Sequence, residues 1–230
     1  MDTALHTAAN ACSADVMAIR RPVLIVFDLD GTLTDSALLG RLLFKRVFAL
    51  LGFGEISDEL ADSFNGPSSD EVCRIMGIGA DRKPLYNHLI DEVEPQLVRE
   101  IGQVYPGTVE MLAALAQQAT LAILTNGSPV YCKTCIKEYG FAPYIALESG
   151  FACGVSKAER IAMWEKETGA QRVIVVGDRG TDISNARAAG AYAIGVTYGM
   201  GSREELADAD VLCNTTAQVT KACMDVIAML

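Results

Sequence analysis

Short, continuously apolar runs alternate with longer stretches of helical spacing along the 230 residues. The first run, residues 22–27, carries no polar position and stops abruptly at Asp28, the pattern of a strand covered on both faces. Residues 120–124 and 172–176 share that character, ending at Thr125-Asn126-Gly127 and Gly177-Asp178, and each precedes a helix-like segment. A fourth run, 191–196, leads into the polar and glycine-rich residues 197–201. Val211-Leu212 reads as a last short strand before a helix over roughly 215–229. Strands alternating with helices predict an α/β fold with a doubly wound parallel sheet.

Between about Ser36 and Tyr105 the strand pattern gives way to helical periodicity, with Leu38, Leu42, Leu43, Val47 and Leu50 expected on one buried face. Pro106-Gly107 marks the return to the sheet, followed by a helix over 108–118. The expected organisation is a loose tail over 1–20, a core formed by 21–35 and 106–230, and a helical insert over 36–105.

Nineteen basic against twenty-nine acidic side chains leave a net charge of −10, a field that repels nucleic-acid phosphates and anionic lipid surfaces. A small phosphorylated ligand would need local compensation from a cation or a few basic groups. Seven cysteines, an odd number thinly spread, do not form a disulfide framework and fit a reducing compartment. Cys132 and Cys135 have the spacing of half a zinc site, but no second pair follows and packed thiols are the expectation. With Asp2 and Asp15 and no sustained apolar stretch, residues 1–20 do not resemble a secretory signal, and no run reaches the length of a membrane span. The expectation is a cytoplasmic protein, monomer or homodimer, acting on a small phosphorylated metabolite.

Ligands bind at the carboxyl ends of strands in open parallel sheets. Those ends carry Asp28 and Asp30, Thr125 and Asn126, and Asp178 with Asp182, while Lys157 opens the helix between the second and third runs. Carboxylates gathered in one mouth repel unless a hard divalent cation such as Mg²⁺ joins them. Asp28 and Asp30, two residues apart beyond a strand, suit a nucleophile and an acid/base, with Gly31 permitting the turn. Taken singly, each group fits a plainer role: Asp-Gly pairs shape turns, Asp182 could cap a helix, and Lys157 could be solvated. Their joint order, each falling where the sheet places a ligand, carries the functional reading.

Asp28-Leu-Asp-Gly-Thr-Leu-Thr-Asp35, Thr125-Asn126, Lys157 and Gly177-Asp-Arg-Gly-Thr-Asp182 resemble the four ordered motifs of the haloacid dehalogenase-like superfamily. Asn185-Ala-Arg-Ala-Ala-Gly190, with Ile194-Gly-Val-Thr-Tyr-Gly199, resembles its phosphoglycolate phosphatase-like branch, in which the insert is a helical cap over a Rossmann-like core. The resemblance implies Asp28 as nucleophile and metal ligand, and Asp30 as acid/base and backbone-carbonyl ligand. It implies Asp178 as a Mg²⁺ ligand and Asp182 as a partner behind the metal. Thr125 and Asn126 would grip the phosphoryl oxygens and Lys157 would neutralise charge. Phe64-Asn65-Gly66 resembles the loop by which the cap reaches substrate. Family members often place Pro after the third-motif lysine; Ala158 follows here, which leaves the helix start open.

Asp30 argues against the dehalogenase branch, whose members lack the second aspartate. The resemblance makes phosphoglycolate the leading substrate expectation, with sugar phosphates, nucleoside monophosphates and pyrophosphate left open, and a phosphomutase would use the same residues. A receiver-like signalling module would need neither Asp30 nor an insert.

Overall fold

The computed structural model describes residues 21–150 and 155–230, so the tail expected over 1–20 lies outside the described residues. Six parallel strands form the main sheet: β1 (Val23–Phe27), β4 (Thr120–Leu124), β5 (Ile145–Ser149), β6 (Arg172–Gly177), β7 (Tyr192–Val196) and β8 (Val211–Cys213), in the order β5-β4-β1-β6-β7-β8. The unbroken apolar character of β1 has a direct cause. Val23, Ile25 and Phe27 enter one core cluster and Leu24 and Val26 the other, so both faces of the strand are buried. The first face is covered by α5 (Thr108–Leu115), α6 (Pro129–Glu138) and α9 (Thr216–Ile227), and the second by α7 (Lys157–Thr168) and α8 (Gly180–Ala188).

A second, two-stranded sheet pairs β2 (Thr34–Asp35) antiparallel with β3 (Gln103–Val104). The chain leaves the core at β2 and returns at β3, so the ends of the insert are pinned side by side. Between them run α1 (Ala37–Leu50), α2 (Asp58–Asp62), α3 (Ser69–Met76) and α4 (Lys83–Ile101). The insert packs on the core through α4 against α6, and its apolar residues join the cluster on that face of the sheet.

The expected buried face of α1 needs correction. Leu38, Leu42 and Leu50 are exposed by 55%, 38% and 58%, whereas Leu39, Leu43, Phe44, Val47 and Phe48 are buried. Leu43 and Val47 belong to either stripe, and the aromatic pair decides between them. Phe44 and Phe48 lie 5.3 and 5.4 Å from Phe64 by ring centroid, and Phe48 stacks on Tyr86. Burying two phenyl rings outweighs burying two leucines. β5 was not expected from the sequence; it is an edge strand, half-buried in alternation, without an apolar run to mark it.

Candidate active site

β1 lies between β4 and β6, where the strand order reverses, and the loops leaving these three strands converge. Asp28 follows β1 directly and its N–H donates to the Val176 carbonyl at 2.9 Å. The next turn depends on Gly31, whose φ is 78°. A side chain there would bring its Cβ within 2.2 Å of Asp178 Oδ2, so glycine lets the first and fourth motifs touch.

α7 begins at Lys157, and the missing proline is replaced by another device. Ser156 accepts from the Glu159 N–H, while Glu159 accepts from the Ser156 N–H, closing a capping box. Lys157 Nζ thereby reaches both Asp28 Oδ1 at 2.6 Å and Asp182 Oδ1 at 2.9 Å. Asp182 has two duties: its other oxygen accepts from the Arg179 N–H at the start of α8. Burial by itself would lower the Lys157 pKa, but Asp182 and Asp28 outweigh it and the ammonium stays charged.

Asp178 is fully buried. It accepts from the Met200 N–H at 2.8 Å, the Gly201 N–H at 3.3 Å and Thr32 Oγ1 at 3.2 Å. Burial raises its pKa to about 6 against these donors, with Asp182 adding to the rise. Burial likewise pushes Asp28 up; Lys157 pulls it back, and Asp182, Asp178 and Asp30 add to the rise. Carboxylate oxygens of Asp28, Asp178 and Asp182 lie within 4.8 Å of one another. Three buried carboxylates facing one ammonium leave uncompensated negative charge, and an all-oxygen donor set suits a hard divalent cation.

The carboxylate of Asp30 points elsewhere. Tyr131 Oη donates to its Oδ1 at 2.6 Å, and Thr125 Oγ1 donates to its Oδ2 at 3.2 Å. Tyr131 was not singled out from the sequence; it lies on α6, six residues past Thr125, with no motif to mark it. Asn126 Nδ2 donates to the Gly66 carbonyl at 3.1 Å, and Arg179 donates to the Asn65 carbonyl at 3.3 Å. Two loops of the core thus hold the loop that follows Phe64. A cavity of about 370 Å³ lies between insert and sheet, bounded by Asp28, Asp30, Thr125, Asn126 and Lys157 from the core and by Phe64, Asn65 and Gly66 from the insert. Glu94, on α4, also faces it.

Cys132 and Cys135 are buried on α6, burial raising the Cys132 thiol to about 12, and the metal-compatible cluster among the described residues contains no cysteine.

Residues 25–196 match the family model described as haloacid dehalogenase-like hydrolase. The chain belongs to that family. Phosphoglycolate phosphatases are among the relatives. That of Agrobacterium fabrum is 32% identical over 192 residues, covering 76% of this chain and 81% of the relative. That of Vibrio cholerae is 26% identical over 202 residues, covering 81% and 89%. A haloacid dehalogenase-like family protein of Streptococcus pneumoniae has the same fold, with a TM-score of 0.72 at 21% identity, covering 87% of this chain and 97% of the other. Within its family the chain is a phosphohydrolase of the phosphoglycolate phosphatase-like branch.

Proposed function

We propose that this phosphohydrolase is a Mg²⁺-dependent phosphatase of small phosphate monoesters, acting through an aspartyl-phosphate on Asp28. The observation that carries the reading is the pairing of Asp28 with the buried ammonium of Lys157, two residues before a carboxyl group held apart by its own donors. Asp28, Asp178 and the backbone carbonyl of Asp30 would hold Mg²⁺, with Asp182 behind them, and the ion would supply positive charge to the phosphoryl oxygens.

An Asp28 oxygen attacks phosphorus, and the bond from phosphorus to the ester oxygen breaks. Asp30 gives its proton to the departing alkoxide. Water then attacks the same phosphorus, Asp30 takes a proton from it, and the Asp28 carboxylate departs as phosphate is released. Lys157 neutralises charge on Asp28 and on the phosphoryl group, while Thr125 and Asn126 hold its oxygens. Helices α1–α4 act as a cap, residues 64–66 bringing it to the substrate. The cytoplasm and a monomer or homodimer suit such an enzyme.

Phosphate release from a panel of small esters, phosphoglycolate among them, tests the reading. Turnover with Mg²⁺ that chelator stops and Asp28→Asn abolishes is the expected result. Turnover undiminished in Asp28→Asn, or no release from any ester by folded protein, would overturn it.

A further inference from the structure

Glu94 is a lone acid on the buried face of α4, where Ile90, Val93, Leu97 and Val98 surround it in sequence. The side chain is 8% exposed, and its Oε2 has no hydrogen-bond partner among the described residues. A buried carboxyl oxygen without a donor is destabilising, and packing gains nothing from it that a leucine would not supply. It faces the cavity rather than the interior of the insert, and it is close enough to Asp30 and Tyr131 for their electrostatics to be coupled.

Under the proposed mechanism Asp30 protonates the ester oxygen, so the carbon chain of the leaving group passes close to Glu94. The surrounding charge restricts that chain. Among the described residues, two cations line the cavity. Lys157 is held by Asp28 and Asp182, and Arg179 by Glu205 and the Asn65 carbonyl. Asp30 and Glu71 add negative charge, while Leu43, Phe44 and Ile90 are apolar. A leaving group bearing a carboxylate would be desolvated there against like charge.

We infer that Glu94 is a specificity-determining residue that selects uncharged, hydroxyl-bearing leaving groups, polyol or sugar monophosphates, over carboxylates such as glycolate. This deepens the phosphatase reading and rests on it for the orientation of the substrate. Burial, reinforced by Asp30 and Asp91, raises the Glu94 pKa and so favours its protonated form, and a carboxyl that holds its proton both donates and accepts, as a hydroxyl does.

The test is equilibrium binding of three phosphonates in Mg²⁺: dihydroxybutylphosphonate, butylphosphonate and phosphonopropionate, the last an analogue of phosphoglycolate. The wild type should prefer the diol to each of the others by roughly tenfold or more, the effect of a satisfied against an unsatisfied buried polar group. Glu94→Leu should erase the preference while binding butylphosphonate undiminished, and Glu94→Gln, which can also donate and accept, should keep most of it. A flat wild-type ratio, tightest binding of phosphonopropionate, or an unchanged preference in Glu94→Leu would overturn the inference. The wild-type ratio decides even where the leucine variant does not fold. Because phosphonates are not hydrolysed, diol selectivity in a protein that releases no phosphate would defeat the phosphatase reading alone. Turnover of many esters with flat phosphonate binding would defeat this inference alone.

Discussion

The two walls of the cavity are built on opposite terms. On the sheet side nearly every charged group is answered: Lys157 bridges two aspartates, Asp178 takes three donors, and Asp30 takes two. On the insert side the surface is mostly apolar, and its Glu94 Oε2 has no hydrogen-bond partner among the described residues. Groups that must hold geometry during a reaction are fixed before the substrate arrives, because reorganising them would raise the barrier. A group that recognises a substrate does better with a vacancy the substrate can fill.

The sharpest way to break this contrast is to remove sheet-side groups. Asp28→Asn should lower kcat by roughly a thousandfold or more in steady-state assays, since under the proposed mechanism it removes the nucleophile. Lys157→Met should lower kcat by about a hundredfold to a thousandfold through lost charge stabilisation. It also strands two buried carboxylates, at a cost of about 3–5 kcal/mol by denaturant titration, which added Mg²⁺ should partly restore.

Asp178 supplies a pH signature. Burial lifts it from the ordinary 3.8 to about 6, so between those values the folded chain keeps a proton that the unfolded chain releases. Its contribution to stability is therefore full below the lower value and lost as pH rises through the upper one. In chelator, Asp178→Asn should gain on the wild type by up to about 3 kcal/mol across that window, measured by urea unfolding. A gap that stays constant with pH would show that Asp178 is not held up by burial. Tyr131→Phe is a milder change. Loss of its 2.6 Å hydrogen bond should loosen Asp30 and lower kcat by roughly tenfold with little effect on KM.

Much of this site is legible in the sequence, and the exceptions have physical causes. Buried parallel strands write themselves as unbroken apolar runs, and the residues at their ends fall at the carboxyl edge of the sheet by topology alone. β5, at the edge and half-exposed, leaves no such trace. The face of α1 is misread because both stripes are apolar and contacts from Phe64 and Tyr86, distant in sequence, choose between them. Tyr131 meets Asp30 across 101 residues, a contact no local pattern encodes. Glu94 does leave a signal, an acid among apolar residues at helical spacing, but its meaning depends on the cavity it faces.

The central claim is that phosphorus passes through two displacements, first to Asp28 and then to water. The most direct test is the stereochemical course of hydrolysis, using an ester whose phosphorus is made chiral with sulfur and oxygen isotopes in labelled water. Each in-line displacement inverts configuration, so transfer through Asp28 predicts net retention. Net inversion would mean that water attacks the ester directly, and would contradict the account.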